Sequence, residues 1–333
     1  MQTRENALHQ WLQTVYHDST YTLTPLAGDA SFRRYYRLQH ANLSRIVMDS
    51  PPDKIPLAPF IQIQQLLSEQ GLHTPHIHAL DDTLGFAVLE DFGNVLFRDA
   101  LLHHNPDHLY PSALAVINHM QNNSQTLQLA KFDQAFMLQE LNLFHDWFLD
   151  RYLGLTLSPV EHQLLAQTFD QLTTQIANQP QAFIHRDYHS RNIMLLDVTD
   201  TPVPQFGIID FQDAMLGPIT YDLVSLLKDC YIQLPEDQIT LWLADFYGQS
   251  TLAQSFTFFE FQRAFDWCGL QRHLKVLGNF CRLHLRDGKP NYLNDLPLTY
   301  HYVTSCIQTY SEFEVFGEWL QEKVQARFMS TCS

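Results

Sequence analysis

Three short apolar runs, Phe183-Ile184, Ile193 to Leu196 and Phe206 to Ile209, break an otherwise helical second half of the chain, with polar loops between them. Runs this short, bounded by loops, read as strands. They commit the chain to a mixed architecture and set a polar segment between strand ends. That segment is Ile184-His185-Arg186-Asp187-Tyr188-His189-Ser190-Arg191-Asn192-Ile193, and Gly207-Ile208-Ile209-Asp210-Phe211 ends the third run. A carboxylate buried at a strand end is costly unless paired or metal-bound, so Asp210 points to a metal.

Upstream the pattern is different. An amphipathic helix over Ala7 to Tyr16 places Leu8, Trp11, Leu12, Val15 and Tyr16 at helical spacing. Tyr21 to Leu26 then alternates loosely, Gly28 to Ser31 is a turn, and Tyr35 to Leu38 with Arg45 to Met48 predicts a strand pair. Phe60 to Gln70 spaces its apolar residues as one helix face ended by Gly71, and strand signals return at Ile77 to Leu80 and Phe86 to Leu89. From Asn94 onward long helical segments dominate; Phe132 to Leu149 puts Phe136, Leu141, Phe144 and Phe148 on one broad apolar face. With 333 residues, the length predicts two domains or lobes.

Composition excludes several classes. The chain carries 36 acidic against 20 basic residues, a formal net charge of -16, which opposes attraction to nucleic-acid backbones and anionic lipid surfaces. The first helix is not a continuous apolar signal region, and nowhere do 18 apolar residues run together, so a cytoplasmic protein without a membrane span is expected. Five cysteines, odd in number and without CxxC spacing, argue against a disulfide framework and a structural zinc site.

Asp187 and Asn192 lie five positions apart in one loop, and Asp210 follows eighteen residues later. Phosphoryl transfer from a nucleotide needs these residue types: a carboxylate to orient and deprotonate the acceptor hydroxyl, and an amide with a second carboxylate to hold magnesium on the phosphates. Isolated loop aspartates usually cap turns, and for either one alone that reading would win; in order, with Asn192 between them, the three favour catalysis. A competing reading takes His185, Asp187 and His189 as ligands of a metallohydrolase centre. His73, His76, His78, His103 and His104 lack the spacing that would complete it.

Here the chain resembles the aminoglycoside phosphotransferase and choline kinase-like superfamily over nearly its whole length. His185 to Asn192 matches its catalytic motif, and Ile209-Asp210-Phe211 its metal-binding motif. The resemblance implies an α+β, two-lobed protein-kinase-like fold with a small β-rich N-lobe and a larger helical C-lobe. By position it implies a nucleotide-binding lobe over residues 1–92, a hinge near 89–94, and a C-terminal lobe over 93–333 carrying catalytic loop and substrate site. It makes Asp187 the catalytic base, Asn192 and Asp210 ligands of Mg2+, and Asp222 in Gly217-Pro218-Ile219-Thr220-Tyr221-Asp222-Leu223 a structural carboxylate bracing the loop. ATP and Mg2+ are the implied cofactors.

Finer stretches resemble one branch, the bacterial anomeric kinases of N-acetylmuramate and N-acetylglucosamine in cell-wall sugar recycling. They are Gly28 to Arg37, Met48 to Pro52, Leu89 to Gly93, Asp210 to Ala214 and Gly269 to Gly278, all five in order. The implied reaction is ATP-dependent phosphorylation of the sugar's C1 hydroxyl to an α-1-phosphate. An aminoglycoside or choline-type acceptor, or a pseudokinase scaffold without chemistry, are the alternatives.

Gly28 and its small neighbours would let a turn approach phosphates and offer backbone N–H groups. Candidate nucleotide-binding residues are Gly28, Asp29, Ser31, Arg33, Arg34 and, along the hinge, Glu90 and Phe92. One departure stands out: protein kinases hold the phosphates with a lysine on the third strand, and Arg45-Ile46-Val47-Met48-Asp49 has none. Arg33, Arg34 or Lys54 substitutes, or magnesium and backbone groups carry that load. Candidate acceptor contacts are His189, Arg191, Gln212, Asp213, Arg272 and Lys275, the last two on a helix around Trp267 to Leu283 whose basic groups read either as a solvated face or as a pocket wall. Phe265, Trp267 and Phe280 on that helix are expected in the core.

Overall fold

The computed structural model describes residues 2–26, 32–123, 128–196 and 203–331. The chain packs as two compact units, one of residues 1–100 and 192–213, the other of 101–191 and 214–333.

The first unit begins with α1 (Gln2–Tyr16), a turn longer at its start than the periodicity predicts. Its stripe Leu8, Trp11 and Leu12 packs on Leu38, Val47, Phe86 and Val88 of the sheet behind it. That sheet contains β1 (Thr22–Pro25), β2 (Arg34–His40) and β3 (Leu43–Asp49), then, after α2 (Ala58–Glu69), β4 (Ile77–Asp81) and β5 (Phe86–Glu90). The order is β1-β2-β3-β5-β4, every neighbouring pair antiparallel. A short α3 (Phe97–Ala100) follows.

The second unit is mainly helical: α4 (Pro106–Asn122), α5 (Gln134–Leu143) running on into a wide π turn over Phe144–Tyr152, and α6 (Pro159–Ala177). Ser158 caps α6 with a capping box to Glu161, so two orphan end groups are satisfied reciprocally. Then come the predicted strands, β6 (Gln181–Ile184), β7 (Ile193–Leu196) and β8 (Gln205–Ile208), and one that the sequence pattern does not predict, β9 (Met215–Pro218). They form two antiparallel ribbons, β7 with β8 in the first unit and β6 with β9 in the second. Next come α7 (Tyr221–Leu227), α8 (Glu236–Gln249), α9 (Phe258–Asp287) and α10 (Leu296–Thr309).

The 30-residue α9 is the spine of the second unit, packing on α5, the π turn, α6, α7 and α10. Its basic residues are not a solvated face: Arg272 is 4% exposed and His273 1%. Phe265, Trp267 and Phe280 lie in the core as expected. The four described cysteines are buried free thiols. No helix among the described residues is long and apolar enough to cross a membrane.

Candidate active site

Hairpin register explains how residues eighteen positions apart meet. β7 and β8 pair with Ile193 opposite Ile208, so Asn192, just before β7, and Ile209, just after β8, face each other, and the Ile209 N–H donates to the Asn192 carbonyl at 3.2 Å. One residue on, Asp210 receives the Asn192 side-chain amide at 3.4 Å and the Gln212 amide at 2.8 Å. Asp210 is exposed rather than buried, so the burial cost expected of a carboxylate at a strand end does not arise, and what the structure shows is its pairing with Asn192. It has φ +63°, a left-handed conformation that Asp tolerates better than most side chains. Phe211 stacks on Phe60 of α2 at 5.1 Å and anchors the turn.

Tyr35 on β2 lies within reach of both Arg33 and Asp210; burial first, and then the Asp210 charge, push its hydroxyl up to about 12 against the opposing effect of Arg33. Arg33, 6% exposed, donates to Ser50 Oγ at 3.2 Å and lies 6.0 Å from the Phe60 ring. Arg34 stands opposite Asp49 in the β2–β3 register and forms an ion pair with it at 2.5 Å; Arg4 of α1 reaches the other oxygen at 2.6 Å. The acidic residue on β3 is therefore a structural charge with two arginine partners. Lys54 is exposed and pairs with its neighbour Asp53. Gly28, Asp29 and Ser31 lie outside the described residues.

Along the expected hinge, the Glu90 carboxylate accepts from His73 Nε2 and the His76 N–H, both at 3.2 Å. Phe92 meets the His73 ring edge-on at 5.1 Å and lies on the Gly207 backbone so closely that a Cβ there would be 2.4 Å from its ring. Gly207 is thus fixed by close approach.

In the second unit the loop after β6 is held by acids that accept backbone N–H groups. Asp222, fully buried on α7, accepts from His185 N at 2.7 Å and Arg186 N at 3.0 Å, as the resemblance implies. Asp229 accepts from Ser190 N and Tyr231 N, both at 3.0 Å. Arg186 has φ +75°, strained for a long side chain, and the contacts that hold it include Asp222, Glu140 at 2.8 Å from Nη2, and the Phe136 and Phe132 rings at 5.0 and 5.9 Å. Glu140, on the buried side of α5, also receives the Gln271 amide at 3.3 Å and faces Lys275 Nζ at 3.5 Å.

Asp187 sits in the resulting positive field. Burial alone would raise its carboxyl, but Lys275, His189, Arg272 and Arg186 together hold it well below the usual carboxylate range, so it is ionised at neutral pH. Asp222 behaves oppositely: burial pushes it up to about 7 despite its two backbone N–H donors. His185 and His189 each use Nδ1 to accept a loop N–H, from Asp187 and Arg191 respectively, both at 3.3 Å. These imidazoles brace the loop. Asp213 is exposed.

Glu140 and Asp229 are the residues that motif reasoning misses. Glu140 left a trace: it belongs to no motif, but it is a lone acid within the apolar stretch that holds Phe136, Leu141 and Phe144. Asp229 left none.

Against known proteins, residues 22–253 match the phosphotransferase enzyme family. The chain belongs to that family. A curated relative from Neisseria meningitidis is 39% identical, covering 96% of each chain, and one from Pseudomonas putida is 36% identical, covering 95% of this chain and 94% of that protein; both are named N-acetylmuramate/N-acetylglucosamine kinase. The fold resembles an ADP-bound aminoglycoside phosphotransferase, with TM-score 0.60 at 12% identity over 89% of this chain and 97% of that one. A choline kinase from Streptococcus pneumoniae gives TM-score 0.62 at 12% identity over 90% of this chain and 99% of its own. The expected kinase-like α+β fold is therefore observed, and these phosphotransferase relatives favour phosphoryl transfer over the metallohydrolase reading.

Proposed function

We propose that this chain is an ATP-dependent kinase of N-acetylmuramate and N-acetylglucosamine, acting in the cytoplasm on the anomeric C1 hydroxyl and releasing the α-1-phosphate for cell-wall sugar recycling. The observation that carries the reading is the near-full-length similarity to the curated sugar kinases, on a chain that keeps Asp187, Asn192 and Asp210.

Asp187 aligns the C1 hydroxyl and takes its proton as the sugar oxygen bonds to the γ-phosphorus and the bridging bond to ADP breaks. Its ionised state at neutral pH follows from the charged Lys275, Arg272 and Arg186 around it. The Asn192 side-chain amide lies 3.4 Å from the Asp210 carboxylate, so the amide oxygen of one and the carboxylate of the other are the hard donors that would hold Mg2+. When bound, the ion offsets the negative charge of the phosphates. Arg33 supplies the positive charge that a third-strand lysine supplies in protein kinases: its guanidinium lies 6.0 Å from the Phe60 ring on which Phe211, next to Asp210, stacks, whereas Arg34 is engaged by Asp49. Glu90 and Phe92 flank the adenine.

ADP release in the presence of each sugar tests the reading. Both sugars should support turnover, and Asp187→Asn should lower kcat by about 1,000-fold or more while nucleotide binding persists. Turnover with choline or kanamycin but neither sugar would reject the acceptor; full activity of the variant would reject the base.

A further inference from the structure

Beside the catalytic loop of the second unit lies a small platform that the phosphoryl chemistry above does not use. The Arg191 guanidinium stacks over the Tyr231 ring at 3.5 Å, and the His189 ring meets the same tyrosine edge-on at 5.2 Å. Phe280 of α9 packs behind Tyr231 at 6.0 Å and against Tyr292 at 5.2 Å. Stacking fixes the plane of the guanidinium, which reduces the entropy lost when it forms hydrogen bonds.

The Arg191 donors are underused. Its buried Nε has no hydrogen-bond partner among the described residues, and Nη2 faces Asp295 at 3.6 Å, past hydrogen-bond length. Its side chain keeps 31% exposure, so an incoming anion can reach it. The other cations near the loop are less accessible than Arg191, Arg186 keeping 18% exposure. Arg186 donates to Glu140, Lys275 faces the same carboxylate with 13% exposure, and Arg272 is 4% exposed with its Nη1 on the Cys230 thiol at 3.7 Å.

The two sugars named for the curated relatives differ by one charged group. N-acetylmuramate carries a lactyl carboxylate on the oxygen at C3, where N-acetylglucosamine has a hydroxyl. A planar arginine fork is the side chain best matched to a carboxylate. Arg191 lies four positions beyond Asp187 on the same loop. Reacting hydroxyl and carboxylate likewise lie on one sugar ring.

We infer that Arg191, held flat on Tyr231, is the specificity residue that reads the carboxylate of an acidic amino-sugar acceptor and sets the preference between acidic and neutral sugars. This rests on the sugar-kinase reading above.

Steady-state kinetics of wild type, Arg191→Gln and Arg191→Lys with saturating ATP and both sugars test it. Because one preparation turns over both, any loss of folded protein cancels in the ratio of kcat/KM for N-acetylmuramate over N-acetylglucosamine. In Arg191→Gln that ratio should fall about 10- to 100-fold, carried by KM for N-acetylmuramate. Arg191→Lys, keeping the charge without the fork, should fall between. An unchanged ratio in both variants, whether or not overall activity drops, overturns the inference and makes Arg191 a loop brace. Failure of the wild type on both sugars would instead remove the sugar-kinase reading itself.

Discussion

Single residues set the charge state of the site. Asp187 and Asp222 face the same loop yet are shifted in opposite directions, the first downward by four basic groups and the second up to about 7 by burial. The consequences for stability have opposite signs. Asp187 contributes stability at neutral pH that is lost as pH falls below the carboxylate range. Asp222 binds a proton in the folded chain, between its ordinary value and about 7, that the unfolded chain does not bind, so its contribution declines as pH rises through that window. Asp222→Asn removes the titration. Melting temperatures of both proteins from acid to neutral pH should converge at the acid end, with the variant gaining on wild type by several degrees toward neutrality. Parallel curves would show that the two N–H donors keep Asp222 ionised. Asp187, Asn192 and Asp210 could be proposed from the sequence because their residue types and spacing match the needs of phosphoryl transfer. Glu140 accepts from Gln271, 131 residues away, and Asp229 from Ser190, 39 residues away, and no local pattern records such pairings.

Among the elements, legibility followed local chemistry. The runs Ile193 to Leu196 and Phe206 to Ile209 were readable as strands, and their pairing is what joins Asn192 to Asp210. β9 leaves no such signal because Met215–Pro218 contains glycine and proline, poor strand formers, and is held in place by pairing with β6. The charges of α9 read locally as a solvated face because the groups that neutralise them are remote in sequence. Gly278 marks its tightest contact: a Cβ there would lie 2.1 Å from the Leu143 carbonyl oxygen and 2.6 Å from the Phe144 nitrogen, where the π turn begins. Backbone cannot yield as a side chain can. Gly278→Ala should therefore cost about 3 kcal/mol or more and lower the melting temperature by about 5–10 °C. Gly248→Ala, in α8 with nothing within 4 Å, should be neutral or slightly stabilising. Equal effects of the two would contradict the close packing of α9 on α5.

For the whole molecule, the sequence distinguished a sheet-rich beginning from a helical remainder, and the resemblance supplied the fold that the structure shows. Packing divides the chain less simply than a cut at residue 92: residues 93–100 and the β7–β8 ribbon with Asn192 and Asp210 pack in the first unit, while Asp187 belongs to the second. A segment that leaves one unit and returns later cannot be seen in periodicity, which is local. Net charge was similarly silent about the acceptor: the formal charge is -16, yet basic groups dominate around Asp187. The central claim is transfer of phosphate to an anomeric hydroxyl. Phosphorus NMR of the purified protein with ATP, magnesium and N-acetylmuramate tests it most directly. The account predicts a sugar-phosphate resonance coupled to the anomeric proton, growing as ADP appears. A phosphate ester at any other hydroxyl, or inorganic phosphate alone, would contradict it.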